Sequence, residues 1–182
     1  MLHIPADSFT FGGTNSLEAW GIKVVAYDVF SPNKRARNQK IPFRHGLYDY
    51  GNKYFEERIV RLRCVTEERV LSKGEMREVI LWLTQRARLV LWDEPDKYYV
   101  GELEESIDVT VLPQEVKREF ILPLRCEPFA YSEQNIQSIT EGVNAIDYQG
   151  TAPTPTLIVI RNPNDFPVSN ITLTAVAHVR AQ

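Results

Sequence analysis

The stretch Ser72–Gly101, SKGEMREVILWLTQRARLVLWDEPDKYYVG, decides the fold that we predict for this chain. Ser72 can accept a hydrogen bond from the backbone of Glu75, and the Glu75 carboxylate can accept one from Ser72, so this capping box marks the start of a helix. Apolar side chains recur after it at helical spacing (Met76, Val79, Ile80, Leu83 and Ala87), and polar ones take the other face (Arg77, Glu78, Gln85, Arg86 and Arg88). Because an isolated helix of this length is marginal in water, we predict that it packs on strands.

Strands are predicted on both sides of the helix, where apolar and polar side chains alternate. Glu57–Thr66 alternates apolar residues with arginines (Val60, Leu62 and Cys64 against Arg61 and Arg63). Leu89–Trp92 is predicted to be a short apolar strand, and Asp93–Asp96 a turn. Tyr99–Val111 and residues 118–127 are predicted to form one long antiparallel pair.

Three further features complete this pattern. Pro123 favours an edge strand or a bulge, because proline cannot donate to a sheet ladder. Phe9–Phe11 is predicted to be a short strand that ends in a turn at Gly12 and Gly13. Residues 22–30, IKVVAYDVF, predict a strand that is apolar on both faces.

We therefore predict a mainly β fold, a β-sandwich with one packed α-helix and a projecting arm or hairpin, followed by a short β-rich C-terminal region. The predicted domains are 1–133, the sandwich with its helix, and 134–182, a small or incomplete second β domain. Two strands are predicted in the second domain, at Thr156–Arg161 and Asn170–Arg180. Two strands alone make only a marginal unit in water.

Composition and charge restrict the class of protein. Hydrophobic residues make up 43% of the 182 residues and charged residues 25%, as in an ordinary globular protein. The net charge of -3 gives no reason to expect nucleic acid or an anionic membrane as a partner. The absence of a long apolar run and of a signal-peptide pattern predicts a protein made and assembled in the cytoplasm. Cys64 and Cys126 are predicted to be small buried side chains, with a disulfide between them as the alternative.

Residues 31–53 break the strand pattern and carry six basic residues against the single acidic residue Asp49. We interpret this segment as an extended arm that orders against a neighbouring subunit. A nucleic-acid contact is the alternative, since aromatic residues are interspersed among the basic ones, but the remainder of the chain is acidic. The candidate interface residues are Lys34, Arg35, Arg37, Lys40, Arg44, His45, Tyr48 and Tyr50.

The sequence contains none of the GxSxG, HExxH, P-loop or GxGxxG motifs that mark common active sites. The glycines in Phe11–Asn15 are interpreted as a plain turn, and Glu102, Glu104 and Glu105 as a solvated outer face. The three histidines lie in unrelated segments (His3, His45 and His178), which argues against a zinc site. We predict that the protein is not an enzyme and has no cofactor and no metal.

The order of several local signatures resembles that of the distal tail proteins of long, non-contractile-tailed bacteriophages. The matching pieces over residues 4–131 are FTFGG at Phe9–Gly13 with Ser16, then Trp20-Gly21-Ile22, His45-Gly46-Leu47-Tyr48, the capped helix, DKYYVG at Asp96–Gly101 and LRCEPFAY at Leu124–Tyr131. The segments Val143-Asn144, Gly150-Thr151 and Pro155–Ile160 resemble the start of that family's second, galectin-like β domain.

The resemblance implies a virion protein that forms a homo-hexameric ring at the distal end of the tail. Such a ring joins the last ring of the tail-tube protein to the tail-tip or tail-associated protein, and often carries receptor-binding proteins. In that setting the basic arm and the long strands 99–127 are expected to form the ring. Only about thirty residues follow Gly150, so the second domain is expected to be small or truncated.

Two other functions remain open from the sequence. One is a carbohydrate-binding β-sandwich for host attachment, in which Trp20, Trp82, Trp92 or the tyrosines present an aromatic platform. We expect Trp82 and Trp92 to be core or interface residues instead, since one lies on the helix and the other in an apolar strand. The other function is that of a tail-tube or tube-terminator subunit.

Overall fold

The computed structural model describes residues 4–35, 38–40, 42–43, 45, 47–49, 54–66, 71–104, 109–111, 118–146, 148, 150–152, 154, 156–167, 169 and 171–174. The chain divides into two units, Met1–Gly142 and Val143–Gln182. All the helices and strands found in the described residues belong to the first unit. They are β1 (Phe9–Phe11), β2 (Thr14–Asn15), α1 (Ser16–Trp20), β3 (Ile22–Val29), β4 (Asn38–Lys40), β5 (Leu47–Asp49), β6 (Arg58–Thr66), α2 (Lys73–Leu83), β7 (Ala87–Leu91), β8 (Lys97–Leu103), β9 (Val109–Val111), β10 (Arg118–Cys126) and β11 (Tyr131–Ser132).

One antiparallel sheet organises the first unit, with the strand order β2-β1-β7-β8-β10-β6-β3. Strand β9 pairs with β10 and β11 pairs with β8, whereas β4 and β5 form a separate two-stranded sheet. The large sheet curls, which brings its two ends together. The Val24 amide in β3, at one end, donates a hydrogen bond of 2.7 Å to the carbonyl of Asp7, just before β1 near the other end. The mainly β fold with a packed helix and a hairpin is therefore confirmed.

Helix α2 begins with the predicted capping box. The Ser72 amide donates to Glu75 Oε2 at 2.7 Å, and the Glu75 amide donates to Ser72 Oγ at 3.2 Å. Met76, Val79 and Leu83 are buried in the core, where each large apolar side chain contributes about 1.5–3 kcal/mol.

Trp82 ties the same helix to β1. Its indole Nε1 donates to the Phe11 carbonyl at 3.0 Å, and its ring stacks on Phe9 with centroids 5.7 Å apart.

The helix ends earlier than its periodicity predicts. Its last residue is Leu83 and Thr84 is the C-cap, so Ala87 lies in strand β7 and not on the helix. Strand β7 lies between β1 and β8, and the hydrogen bonds of these two ladders outweigh the helical spacing of a single alanine. Arg86 and Arg88 are exposed, as predicted, but neither is on the helix. Arg86 lies just before β7 and Arg88 lies on it.

Strand β6 confirms the predicted alternation, with Val60, Leu62 and Cys64 buried and Arg61 and Arg63 exposed. Both cysteines are free and buried, so the predicted small buried side chains are confirmed and the disulfide alternative is wrong.

Strand β10 is central and not an edge, since β6 pairs with it throughout on one side and β8 and β9 pair with it on the other. Pro123 is tolerated there because its missing N–H faces the interrupted side. On that side the β8 ladder ends at Leu103–Leu124, and the β9 ladder begins at Val109–Phe120. The Pro123 carbonyl still accepts a hydrogen bond from the Glu104 amide at 2.9 Å. The predicted single strand Tyr99–Val111 is accordingly two strands, with residues 105–108 outside the described part.

Strand β3 is buried on one face only. Ile22 and Val24 are buried, a bulge follows between Val24 and Ala26, and Val25 is exposed. The prediction of two apolar faces is wrong because β3 is an edge strand of a curled sheet. Helix α1, which the sequence analysis missed, is capped by the Asn15 side chain and ends at Gly21 in the left-handed conformation.

The second unit has no strand or helix in its described residues. The predicted strand Thr156–Arg161 is not formed, and Leu157 and Val159 in it are exposed. A strand needs a paired neighbour, and none is found among the described residues of this unit. Of the predicted strand Asn170–Arg180, residues 171–174 are not in a strand, and the others lie outside the described residues.

Candidate functional site

The arm predicted from the basic segment is a β-hairpin. Strands β4 and β5 pair in the register Asn38–Asp49, Gln39–Tyr48 and Lys40–Leu47. The base of the hairpin is held by backbone hydrogen bonds, from the Arg35 amide to the Tyr54 carbonyl and from the Glu56 amide to the Asn33 carbonyl, both at 2.8 Å. A two-stranded ribbon is marginal in water by itself, so a hairpin of this kind gains most from a surface that covers it.

Five of the eight candidate interface residues belong to the described part of the chain, and they lie at or near this hairpin. Lys34 and Phe55 form an isolated antiparallel β-bridge at the base. Lys34, Arg35 and His45 are exposed. Lys40 lies on β4 and Tyr48 on β5. Arg37, Arg44 and Tyr50 lie outside the described residues.

Exposed aromatic residues accompany the basic ones. Phe43, between β4 and β5, is fully exposed and has a positive φ of 65°, which is uncommon for a bulky residue. Tyr54 at the base is also exposed. Phe55 packs edge-on against Phe129 with ring centroids 5.3 Å apart, which attaches the base of the hairpin to the segment after β10. Aromatic and arginine side chains are the types that protein interfaces favour.

The best placed of the carboxylates considered for catalysis is held in an ion pair across the sheet. Glu102 on β8 lies opposite Arg125 on β10, and Arg125 Nη2 donates to Glu102 Oε1 at 2.6 Å. The Nε atom of Arg125 also lies 3.5 Å from Oε2 of Glu57. Glu104 is exposed, and Glu105 lies outside the described residues. An exposed cross-strand ion pair stabilises the sheet slightly and does not activate either group.

Other candidate chemical groups are similarly inert. Burial raises the pKa of both thiols, that of Cys126 to about 12, so neither is a reactive thiolate at neutral pH. Gly12 and Gly13 form a turn of positive φ between β1 and β2. The described residues include no group of three or more His, Cys, Asp or Glu that could hold a metal ion. Within the same residues, no helix has the length and apolar character to cross a membrane.

The three tryptophans do not form an exposed platform. Trp20 and Trp82 pack together with ring centroids 6.2 Å apart, and Trp92 packs edge-on against Tyr27 at 5.3 Å. All three are partly buried against the core, which confirms the prediction for Trp82 and Trp92.

Sequence reasoning missed the short helix α1, although its signal was present. Asn15 is followed three residues later by Glu18, and Gly21 comes directly after the helix, a pattern typical of a capped short helix.

Comparison with known proteins identifies a structural relative. The chain is similar to the crystal structure of the SPP1 Dit (gp 19.1) protein, described as a paradigm of the hub adsorption apparatus in phages that infect Gram-positive bacteria. The TM-score is 0.54 and the sequence identity 14%, and the match covers 69% of this chain and 51% of that one. The matched region thus spans about half the length of the relative. No protein-family model and no curated protein sequence matches this chain. At this identity the similarity shows a Dit-like fold.

Proposed function

We propose that this chain is a structural protein of a phage tail, a hub of the adsorption apparatus, with no enzymatic activity. The observation that carries this proposal is the Dit-like fold, which covers 69% of the chain. Independent support comes from the ordered signatures over residues 4–131, among them DKYYVG and LRCEPFAY. The inert thiols and the paired Glu102 fit a protein whose surfaces bind other proteins.

In this proposal the protein forms a homo-hexameric ring at the distal end of the tail, after assembly in the host cytoplasm. The ring joins the tail-tube protein to the tail-tip protein and to receptor-binding proteins. Residues 134–182 then belong to a second, galectin-like β region that follows the ring-forming domain 1–133. A ring requires two different complementary surfaces on each subunit, and the hairpin supplies one of them. In this proposal the exposed side chains of Lys34, Arg35 and Phe43 contact a neighbouring subunit, whose charge outside residues 31–53 is acidic.

Light scattering and negative-stain electron microscopy of the purified full chain test the ring. The expected species has six times the mass of the 21.0 kDa chain and a central hole. Where the chain alone is monomeric, the same measurement is made with the tube and tip proteins added. A chain that stays monomeric and joins neither partner contradicts the proposed function.

Charge reversal tests the hairpin separately. The double variant Lys34→Glu and Arg35→Glu is expected to weaken the ring, because both side chains are exposed at the base of the hairpin. Lys73→Glu, an exposed reversal at the start of α2, is the matched control and is expected to leave the ring intact. If the double variant still forms the ring, the subunit interface does not include the base of the hairpin, but the proposed ring is not contradicted.

A further inference from the structure

The chain leaves strand β10 but does not leave the sheet. The Glu127 amide donates to the Val100 carbonyl at 2.8 Å, one residue beyond the last β10 pair with β8. Residues 128–130 then bend away, and β11 rejoins β8 in the register Tyr131–Tyr98 and Ser132–Lys97. A two-residue strand has few backbone hydrogen bonds, so side chains must contribute to keeping it in place.

Four side-chain contacts reinforce this return. The Tyr131 hydroxyl donates to Glu127 Oε2 at 2.6 Å, and its ring packs on Tyr98 with centroids 5.8 Å apart. The Arg88 guanidinium lies 4.2 Å from the centroid of the same Tyr98 ring and donates to Glu133 Oε1 at 2.9 Å. Tyr98 therefore has Tyr131 and Arg88 packed against it.

The start of the returning segment is held as well. Arg86, just before β7, donates to Glu127 Oε1 at 2.5 Å. The acceptor carboxylate of Glu127 is thus shared between Arg86 and Tyr131, which are contributed by different segments of the chain. Both contacts are charge-assisted, and such hydrogen bonds are stronger than neutral ones.

We propose that residues 127–133 form a clamp that holds the chain against β8, so that the first freely moving part of the chain lies after Glu133. Residues 134–139 fit this role, since they are exposed and lack regular secondary structure. The clamp sets the point and direction at which the chain leaves the sheet, whether or not the protein forms a ring.

The chain carries its own probes for this proposal, with glutamates at 133 and 141. A glutamate-specific protease needs several residues of extended, mobile chain around its cleavage site. Limited digestion of the full chain, followed by mass spectrometry, is expected to give cleavage after Glu141 well before cleavage after Glu133. Equal rates after Glu133 and Glu141 in the unaltered protein overturn the clamp.

Variants then test which side chains hold it. Tyr131→Ala removes the ring packing and the hydroxyl, and is expected to raise the rate of cleavage after Glu133 by about 5- to 30-fold. Arg88→Ala is expected to raise this rate by a smaller factor, because its ion pair is exposed. Lys73→Ala is the control, since Lys73 is an exposed lysine at the start of α2 and lies on neither β8 nor β11.

Circular dichroism melting of each variant separates release of the clamp from unfolding. Tyr131→Phe keeps the ring and loses only the hydroxyl, so its cleavage rate is expected to lie between those of the unaltered protein and Tyr131→Ala. Should Tyr131→Ala unfold the chain, Arg88→Ala and Tyr131→Phe carry the test. Folded variants that are cleaved after Glu133 no faster than the Lys73→Ala control refute the proposal.

Discussion

Replacing Gly101 with alanine is expected to destabilise the protein, because there is no room for an added Cβ atom between β8 and β10 at this residue. Gly101 pairs with Ala87 of β7 on one side and with Cys126 of β10 on the other. A Cβ atom added to Gly101 lies 2.5 Å from Cys126 Sγ and 2.6 Å from the Arg125 carbonyl oxygen. The thiol can rotate, but the carbonyl belongs to the backbone, so relief requires the two strands to separate.

The magnitude follows from two opposing effects. Overpacking of this kind costs about 1–3 kcal/mol. The lower entropy of an unfolded chain with alanine in place of glycine offsets only about 0.4–1 kcal/mol of that cost. The net cost is therefore about 0–2.6 kcal/mol. For a chain of this size, each kcal/mol shifts the melting temperature by about 2–4 °C, so we expect a fall of up to about 10 °C.

Thermal and urea unfolding, followed by circular dichroism, measure this fall. Gly74→Ala in α2 is the control, since the nearest atom to its added Cβ is Ser72 Oγ at 3.8 Å. That substitution is expected to stabilise the protein by about 0.5–1 kcal/mol, as alanine does in a helix. Adding Cys126→Ala to Gly101→Ala removes the contact with sulfur but not the one with the Arg125 carbonyl, so it is expected to restore only part of the loss. A Gly101→Ala protein as stable as Gly74→Ala refutes the close approach of the strands.

Three further predictions concern the helix and the clamp. Ser72→Ala removes the helix cap and is expected to cost about 0.5–2 kcal/mol in urea unfolding, whereas Ser72→Asp, which can still cap, costs little. Trp82→Phe keeps an aromatic ring but leaves the Phe11 carbonyl without its indole donor, and is expected to cost about 1–3 kcal/mol. The hydrogen bond to Glu127 and burial raise the pKa of Tyr131 to about 12. Because its folded pKa is raised, the stability that Tyr131 contributes is present below about pH 10 and is lost as the pH rises through about 12. The difference in absorbance at 295 nm between the unaltered protein and Tyr131→Phe is expected to titrate near pH 12, and a midpoint near pH 10 contradicts the shared carboxylate.

Much of the candidate site was visible in the sequence as composition. The excess of basic residues between 31 and 53, with aromatic residues among them, indicated an arm that departs from the core. That Asn38–Lys40 pairs with Leu47–Asp49, and that the base is closed by the backbone of Arg35 and Tyr54, could not be derived from it. The clamp was not predicted either, because Arg88 and Glu133 are far apart in sequence and neither belongs to a motif.

Local patterns were sufficient wherever neighbours along the chain make the decisive contacts. The capping box of Ser72, the alternation of β6 and the turn at Gly12 and Gly13 depend on residues only a few positions apart, so the sequence predicts them correctly. The end of α2 at Leu83, the split of 99–111 into β8 and β9, and the central place of Pro123 depend on strands from distant parts of the chain. Hydrogen bonds to those strands outweigh local preference, and pairing of this kind has no signature in a single segment. Gly101 illustrates the difference between the two kinds of information. The DKYYVG motif is visible in the sequence, but only the tertiary structure shows that the Arg125 backbone across the ladder leaves no room for a side chain at Gly101.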